Sequence, residues 1–138
     1  MSNFTKKLVA VMNEKVEPGK VFNALGHMCI GLGSAIGPES LRLSKYIDAG
    51  GGLHPYISEM PFIILKANSN KIRSLREAAI AAGIDFVDFT ETMTDGGYQE
   101  QIERTRNTLS QELIYFGIVL FGDIDKVTEL TKKFSLWK

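Results

Sequence analysis

Apolar and polar positions divide the chain into short unbroken apolar runs and longer stretches with helical spacing. Lys7–Asn13 (KLVAVMN) is nearly continuous in apolar residues and predicts a central strand covered on both faces. After a turn at Glu14–Glu17, the stretch Pro18–Ala35 predicts the first helix. There Val21, Leu25, Met28, Cys29, Leu32 and Ile36 follow the 3.6-residue period and make one buried stripe. Pro18 stands at the first helical position, where its missing N–H is no loss, and Gly37-Pro38 ends the helix. Glu39–Met60 reads as an irregular segment in which Ala49-Gly50-Gly51-Gly52 turns the chain within a short excursion hairpin.

The second half repeats the alternation of strand and helix. Pro61–Ala67 (PFIILKA) predicts a second buried strand. Asn70–Ala82 predicts a helix capped by Ser69, with Ile72, Leu75, Ala79 and Ile80 inward and Gly83 as its terminator. Ile84–Thr90 alternates and predicts a third strand. Asp95-Gly96-Gly97 turns the chain into a polar surface helix at Tyr98–Asn107, and Glu112–Phe121 predicts a fourth strand. Asp123 caps the last helix, Ile124, Val127, Leu130 and Phe134 line its inner face, and Phe134–Trp137 closes the end against the sheet. Strands joined by crossover helices run parallel, whereas the fourth follows without a long regular helix and is expected antiparallel. The expected fold is therefore α/β: a three-layer α/β/α sandwich with a mixed four-stranded sheet, in one domain spanning residues 1–138.

Composition narrows the class of partner. Lys plus Arg and Asp plus Glu number 16 each, so the net charge is zero. A neutral balance disfavours tRNA or another polyanion as main partner, because phosphate neutralisation needs a basic excess or face. The single cysteine, Cys29, lies on the apolar stripe and reads as a small buried hydrophobe, which suits a reducing compartment. No segment approaches the roughly 20 apolar residues of a membrane span, and the first residues lack a signal-peptide apolar core. A cytoplasmic location without membrane partner is expected.

The candidate chemistry gathers on the first helix. Opposite its apolar stripe, Lys20, Asn23 and His27 fall on one line at steps of three and four. Gly19-Lys20 opens the helix, where free backbone N–H groups and the positive dipole end favour an anion and Lys20 adds a full charge. At the end of the third strand Asp88, Thr90, Thr92 and Thr94 alternate, and ligands of open α/β sheets collect at the carboxyl ends of strands. With the first and third strands pointing the same way, Lys20 and Asp88–Thr90 would share one mouth. Gly31-Leu32-Gly33-Ser34-Ala35-Ile36-Gly37 is the glycine-rich end of a helix and not a dinucleotide loop, since it does not sit between strand and helix start. His54 with Asp48 and Glu59 lacks metal-ligand spacing, so no metal and no cofactor are expected.

Pro18-Gly19-Lys20-Val21 followed by His27 resembles the class II peptidyl-tRNA hydrolases, in which a Gly-Lys opens the first helix and a histidine follows seven residues later. Gly122–Trp137 (GDIDKVTELTKKFSLW) is similar to that group's terminal pattern. This resemblance implies a class II peptidyl-tRNA hydrolase-like fold with a lysine and an aspartate in a hydrolase site. The chain departs from the pattern at Phe22-Asn23-Ala24, at Asp88-Phe89-Thr90, which lacks a glycine, and in an insertion around Gly96–Thr108. In these it is more similar to a bacterial domain-of-unknown-function family, number two thousand, whose pattern is matched by Gly19–Asn23, Leu32-Gly33, Asp48–Gly51 and Leu75–Ala78. That likeness implies the fold and brings no established activity.

The leading expectation is a protein that binds a small anionic or amide-bearing ligand at the start of the first helix. Gly19, Asn23 and Thr90 would hold the ligand, with Lys20, His27 and Asp88 as the groups able to do chemistry. The alternative is metal-independent ester hydrolysis of peptidyl-tRNA, with Lys20 stabilising charge and Asp88 or His27 activating water. A third reading is a homodimeric interaction module in which the helix glycines serve subunit packing.

Overall fold

Two hydrophobic clusters, one on each face of a central sheet, organise the structure, a computed structural model that describes residues 4–138. The chain runs β1 (Lys6–Asn13), α1 (Pro18–Ile36), β2 (Leu43–Ile47), β3 (Leu53–Ser58), β4 (Phe62–Ala67), α2 (Ser69–Ala82) and β5 (Asp85–Thr90). A short 3-10 turn at Glu91–Met93 then leads to α3 (Tyr98–Arg106), β6 (Tyr115–Asp123), α4 (Ile124–Thr131) and β7 (Ser135–Leu136). The main sheet has the order β5-β6-β1-β4-β7. β4 is parallel to β1, whereas β6 is antiparallel to both β1 and β5. Hence β1, β4 and β5 point one way and end on the same edge, where α1 begins.

Period-two alternation sorts the strands' side chains between the two clusters. Leu8, Ala10 and Met12 of β1 join Val21, Ala24, Met28 and Leu32 of α1 on one face. Val9 and Val11 join Ile72, Leu75, Ala79 and Val127 of α2 and α4 on the other. Covering β1 and β6 on both faces explains why they read as near-continuous apolar runs.

The expectations need four corrections. The main sheet has five strands and not four, because Ser135–Leu136 pairs antiparallel with β4 and Trp137 N–H donates to Ile64 O at 2.9 Å. The closing of the chain end against the sheet thus takes the form of an edge strand. The excursion hairpin expected within Glu39–Met60 is present as a separate two-stranded sheet, β2 with β3, with Gly50-Gly51-Gly52 in its turn. The cap of α2 is Asn68, whose Oδ1 accepts from Lys71 N–H at 3.0 Å, and Ser69 Oγ instead accepts from Tyr115 N–H at 2.9 Å. The buried line of α1 is Val21, Ala24, Met28 and Leu32, with Cys29 only half-buried, and Ile80 of α2 faces solvent. Finally, β6 begins at Tyr115, since Glu91 Oε2 holds Ile114 N–H outside the ladder at 2.6 Å.

Candidate functional site

The site is built from the β1–α1 junction. Asn13, buried at the end of β1, donates through Nδ2 to Tyr115 O at 2.9 Å and accepts from Lys15 N–H at 2.9 Å. These two hydrogen bonds fix the turn and so the origin of α1. Pro18 opens the helix, Glu17 O accepts from Lys20 N–H and Val21 N–H at 3.0 Å each, and no side chain among the described residues caps the helix start. The exposed first turn therefore keeps the positive end of the helix dipole open beside the Lys20 ammonium. A Cβ at Gly19 would meet nothing within 4 Å, so this corner is open space.

Lys20, Asn23 and His27 form one wall of a cleft of about 850 Å³. Phe89 of β5 is its floor, and its ring stacks on His27 at 5.9 Å between centroids and 24° between planes. A β-bulge supports that floor. Phe89 pairs with Gly117 but Thr90 with Tyr115, so Phe116 is an extra residue whose ring lies 6.1 Å from Phe89. The opposite wall comes from Met93, Thr94 and Asp95 and from Tyr98, Gln101, Ile102 and Thr105 of α3. Tyr98 is 70% exposed and stands as an aromatic residue at the rim.

Two devices shape that second wall. Arg104 Nη2 donates to the carbonyls of Thr92, Thr94 and Asp95 at 3.2, 2.5 and 2.8 Å. These bonds gather a turn in which Asp95 (φ 53°) and Gly96 (φ 78°) are both left-handed. Below it a chain of hydroxyls joins strand end to helix: Thr90 Oγ1 lies 2.7 Å from Thr92 Oγ1, which lies 2.8 Å from Thr105 Oγ1.

The structure therefore brings together Gly19, Lys20, Asn23 and His27 but separates them from Asp88 and Thr90. Asp88 shares the face of Phe86, toward α2, where its carboxylate accepts from Arg76 Nε at 2.6 Å. The expected common mouth fails because strand alternation turns Phe89, not Asp88, toward α1. Burial pushes the Asp88 carboxyl above the ordinary carboxylate range, with the Arg76 guanidinium opposing. Thr90 is buried and supports the wall through Thr92 without lining the cleft. Asp95 is the carboxylate that does line it. Burial also raises the Cys29 thiol, as for a packed hydrophobe. Among the described residues, no group of three or more His, Cys, Asp and Glu converges as a metal site, and no helix is long and apolar enough to cross a membrane.

The sequence profile of a family described as "Protein of unknown function (DUF2000)" matches residues 6–138. The chain belongs to this family. No curated protein matches it. Among solved structures, a protein of unknown function from Agrobacterium tumefaciens strain C58 is similar, with a TM-score of 0.83 at 15% identity over 98% of this chain and 99% of that one. At that identity the likeness concerns the fold. For this DUF2000 chain, sequence reasoning missed the second wall of the cleft. Its signal was the run Thr92-Met93-Thr94-Asp95-Gly96-Gly97-Tyr98, a polar turn at a strand's carboxyl end, and the apparent insertion around Gly96–Thr108 supplies α3.

Proposed function

We propose that this DUF2000 chain binds a small ligand carrying an anionic or amide group, together with a planar or apolar body, in the cleft between α1 and α3. The observation that carries the reading is that Lys20, Asn23 and His27 line one cleft, with His27 stacked on the Phe89 ring and α3 forming a second wall. Sites for small molecules are concave, mostly apolar and furnished with a few polar groups, and their volumes run from about 300 to 1,000 Å³. Lys20 and the open helix start suit a carboxylate or phosphate, Asn23 suits an amide, and Phe89 with Tyr98 suits a flat body. Ester hydrolysis in the manner of class II peptidyl-tRNA hydrolases is less favoured, because of its two candidate bases Asp88 is engaged by Arg76 outside the cleft, which leaves His27 alone. A thermal-shift screen of carboxylates, phosphates and primary amides tests the reading. Hits should lose roughly tenfold or more in affinity in Lys20→Ala, the loss expected for a charge-assisted hydrogen bond. Hits indifferent to Lys20→Ala and His27→Ala would refute it.

A second reading, a homodimer, is favoured by the β2–β3 hairpin. Tyr46, Ile47, Leu53, Tyr56 and Ile57 are each at least 50% exposed there, and a lone two-stranded hairpin is marginal in water. Lys45 and Asp48 nearly balance its charge, so two copies would not repel. The exposed α1 positions Gly26 and Gly31, where a Cβ would meet nothing, lie beside exposed Phe22 and Ile30 and would admit a close second backbone. Sedimentation should give a dimer at micromolar concentration that Ile47→Lys dissociates, and a wild-type monomer would remove this reading.

A further inference from the structure

A groove between α2 and α4 lies on the face of the sheet away from the α1–α3 cleft. It encloses about 520 Å³, within the size range of small-molecule sites. Side-chain size opens it. Ser74 and Ala78, one turn apart on α2, leave a gap that reaches down to Leu75, Leu130 and Phe134. Leu75 is buried, and Leu130 and Phe134 are half-buried against the core, so the floor is apolar and held in place.

The rim is basic. Lys71 precedes Leu75 by one turn, while Lys132 and Lys133 follow the end of α4. Lys132 pairs with Glu129 at 2.9 Å, whereas Lys71 and Lys133 make no ion pair among the described residues. In a chain whose charges cancel overall, this rim sets three ammonium groups against one carboxylate. We propose that the groove binds an aliphatic carboxylate, its hydrocarbon chain on Leu75, Leu130 and Phe134 and its carboxylate on Lys71 or Lys133. An inorganic anion would leave the floor wet, and an uncharged hydrocarbon would leave the two ammonium groups unmatched. Lysine stems complete the fit, since their methylenes cover apolar surface while the heads reach the anion.

The test is an NMR titration of the full chain with octanoate and decanoate below their micellar concentrations, with 1-octanol as uncharged control. The amide and methyl signals of Leu75, Ala78 and Leu130 should shift saturably. Decanoate should bind roughly tenfold tighter than octanoate, the gain expected for two buried methylenes. The double substitution Lys71→Gln, Lys133→Gln, at exposed positions whose loss leaves the fold intact, should abolish the preference for octanoate over octanol. Ala78→Leu should fill the groove and block both acids, while Lys20→Ala should change nothing, which separates this site from the α1–α3 cleft. No saturation, shifts outside the groove, equal binding of octanol and octanoate, or affinity unchanged in the double variant would each overturn the proposal.

Discussion

Replacing Arg104 with alanine would dismantle one wall of the cleft while leaving the core untouched. Arg104 is exposed, and its Nη2 holds the Thr92, Thr94 and Asp95 carbonyls, so its contribution is assigned to these contacts. A hydrogen bond from a charged donor is worth about 1.5–3 kcal/mol when well shielded, and less where water competes. The clamp also offsets the left-handed backbone of Asp95, which costs a non-glycine residue roughly 1–2 kcal/mol. These values put the loss for Arg104→Ala at about 1–2 kcal/mol, or a fall in Tm of roughly 3–8 °C for a chain of this length. Arg104→Lys should recover part of the loss, because all three bonds leave one nitrogen, Nη2, and an ammonium also carries several donors, though on a more flexible stem. Amide hydrogen exchange provides the sharper assay. The Thr94 and Gly97 amides, which donate to Glu91 O and Glu100 Oε1, should lose protection in Arg104→Ala, whereas those of β1 and β6 should hardly change. An unchanged Tm together with unchanged exchange at Thr94 and Gly97 would refute the clamp.

Three further outcomes follow from the packing and the titrating groups. A Cβ at Gly117 would lie 2.5 Å from Met12 Sδ, 2.6 Å from Met12 Cε and 3.0 Å from Met28 Cε, all at the ends of flexible side chains, so Gly117→Ala should make the two methionines repack at a cost of about 1 kcal/mol, measured by urea unfolding; a loss of several kcal/mol would mean that they cannot move. The raised pKa of Asp88 means the folded carboxyl holds its proton more tightly than the unfolded one, so wild-type stability relative to Asp88→Asn should fall as pH rises from about 4 through that raised value; a difference that is flat or rises with pH would contradict it. Asp48 titrates below the ordinary carboxylate range because the His54 ring, and then the Gly52 and Gly50 N–H groups, bond its ionised form; NMR should show its pKa climbing in His54→Ala, and no change would deny the pair a role.

The elements were legible wherever periodicity was clean. β1 announced itself as a doubly covered strand and β6 as a strand, and the Pro18 start and Gly37 end bounded α1 in the sequence alone. The edge strand β7 was not legible, since two residues pairing through backbone carry no periodic signal. The same limit applies to Asp88 and Thr90. Their spacing correctly marked a strand end, but which face Asp88 takes depends on register, and a shift of one residue reverses it. The α1 half of the cleft followed from helical spacing within one element. The other half depended on a turn with left-handed Asp95 and Gly96 and on an arginine that reaches three carbonyls, arrangements that only tertiary structure determines.

The central claim, a ligand site between α1 and α3, is tested most directly by recording amide NMR spectra of wild type and Lys20→Ala against one panel of small carboxylates, phosphates and primary amides. The account predicts that some panel members shift the signals of Gly19–His27 and Met93–Thr105 saturably in wild type, and that these shifts weaken at least tenfold in Lys20→Ala. A panel that never saturates those signals, or saturates them equally well without the Lys20 ammonium, would contradict it.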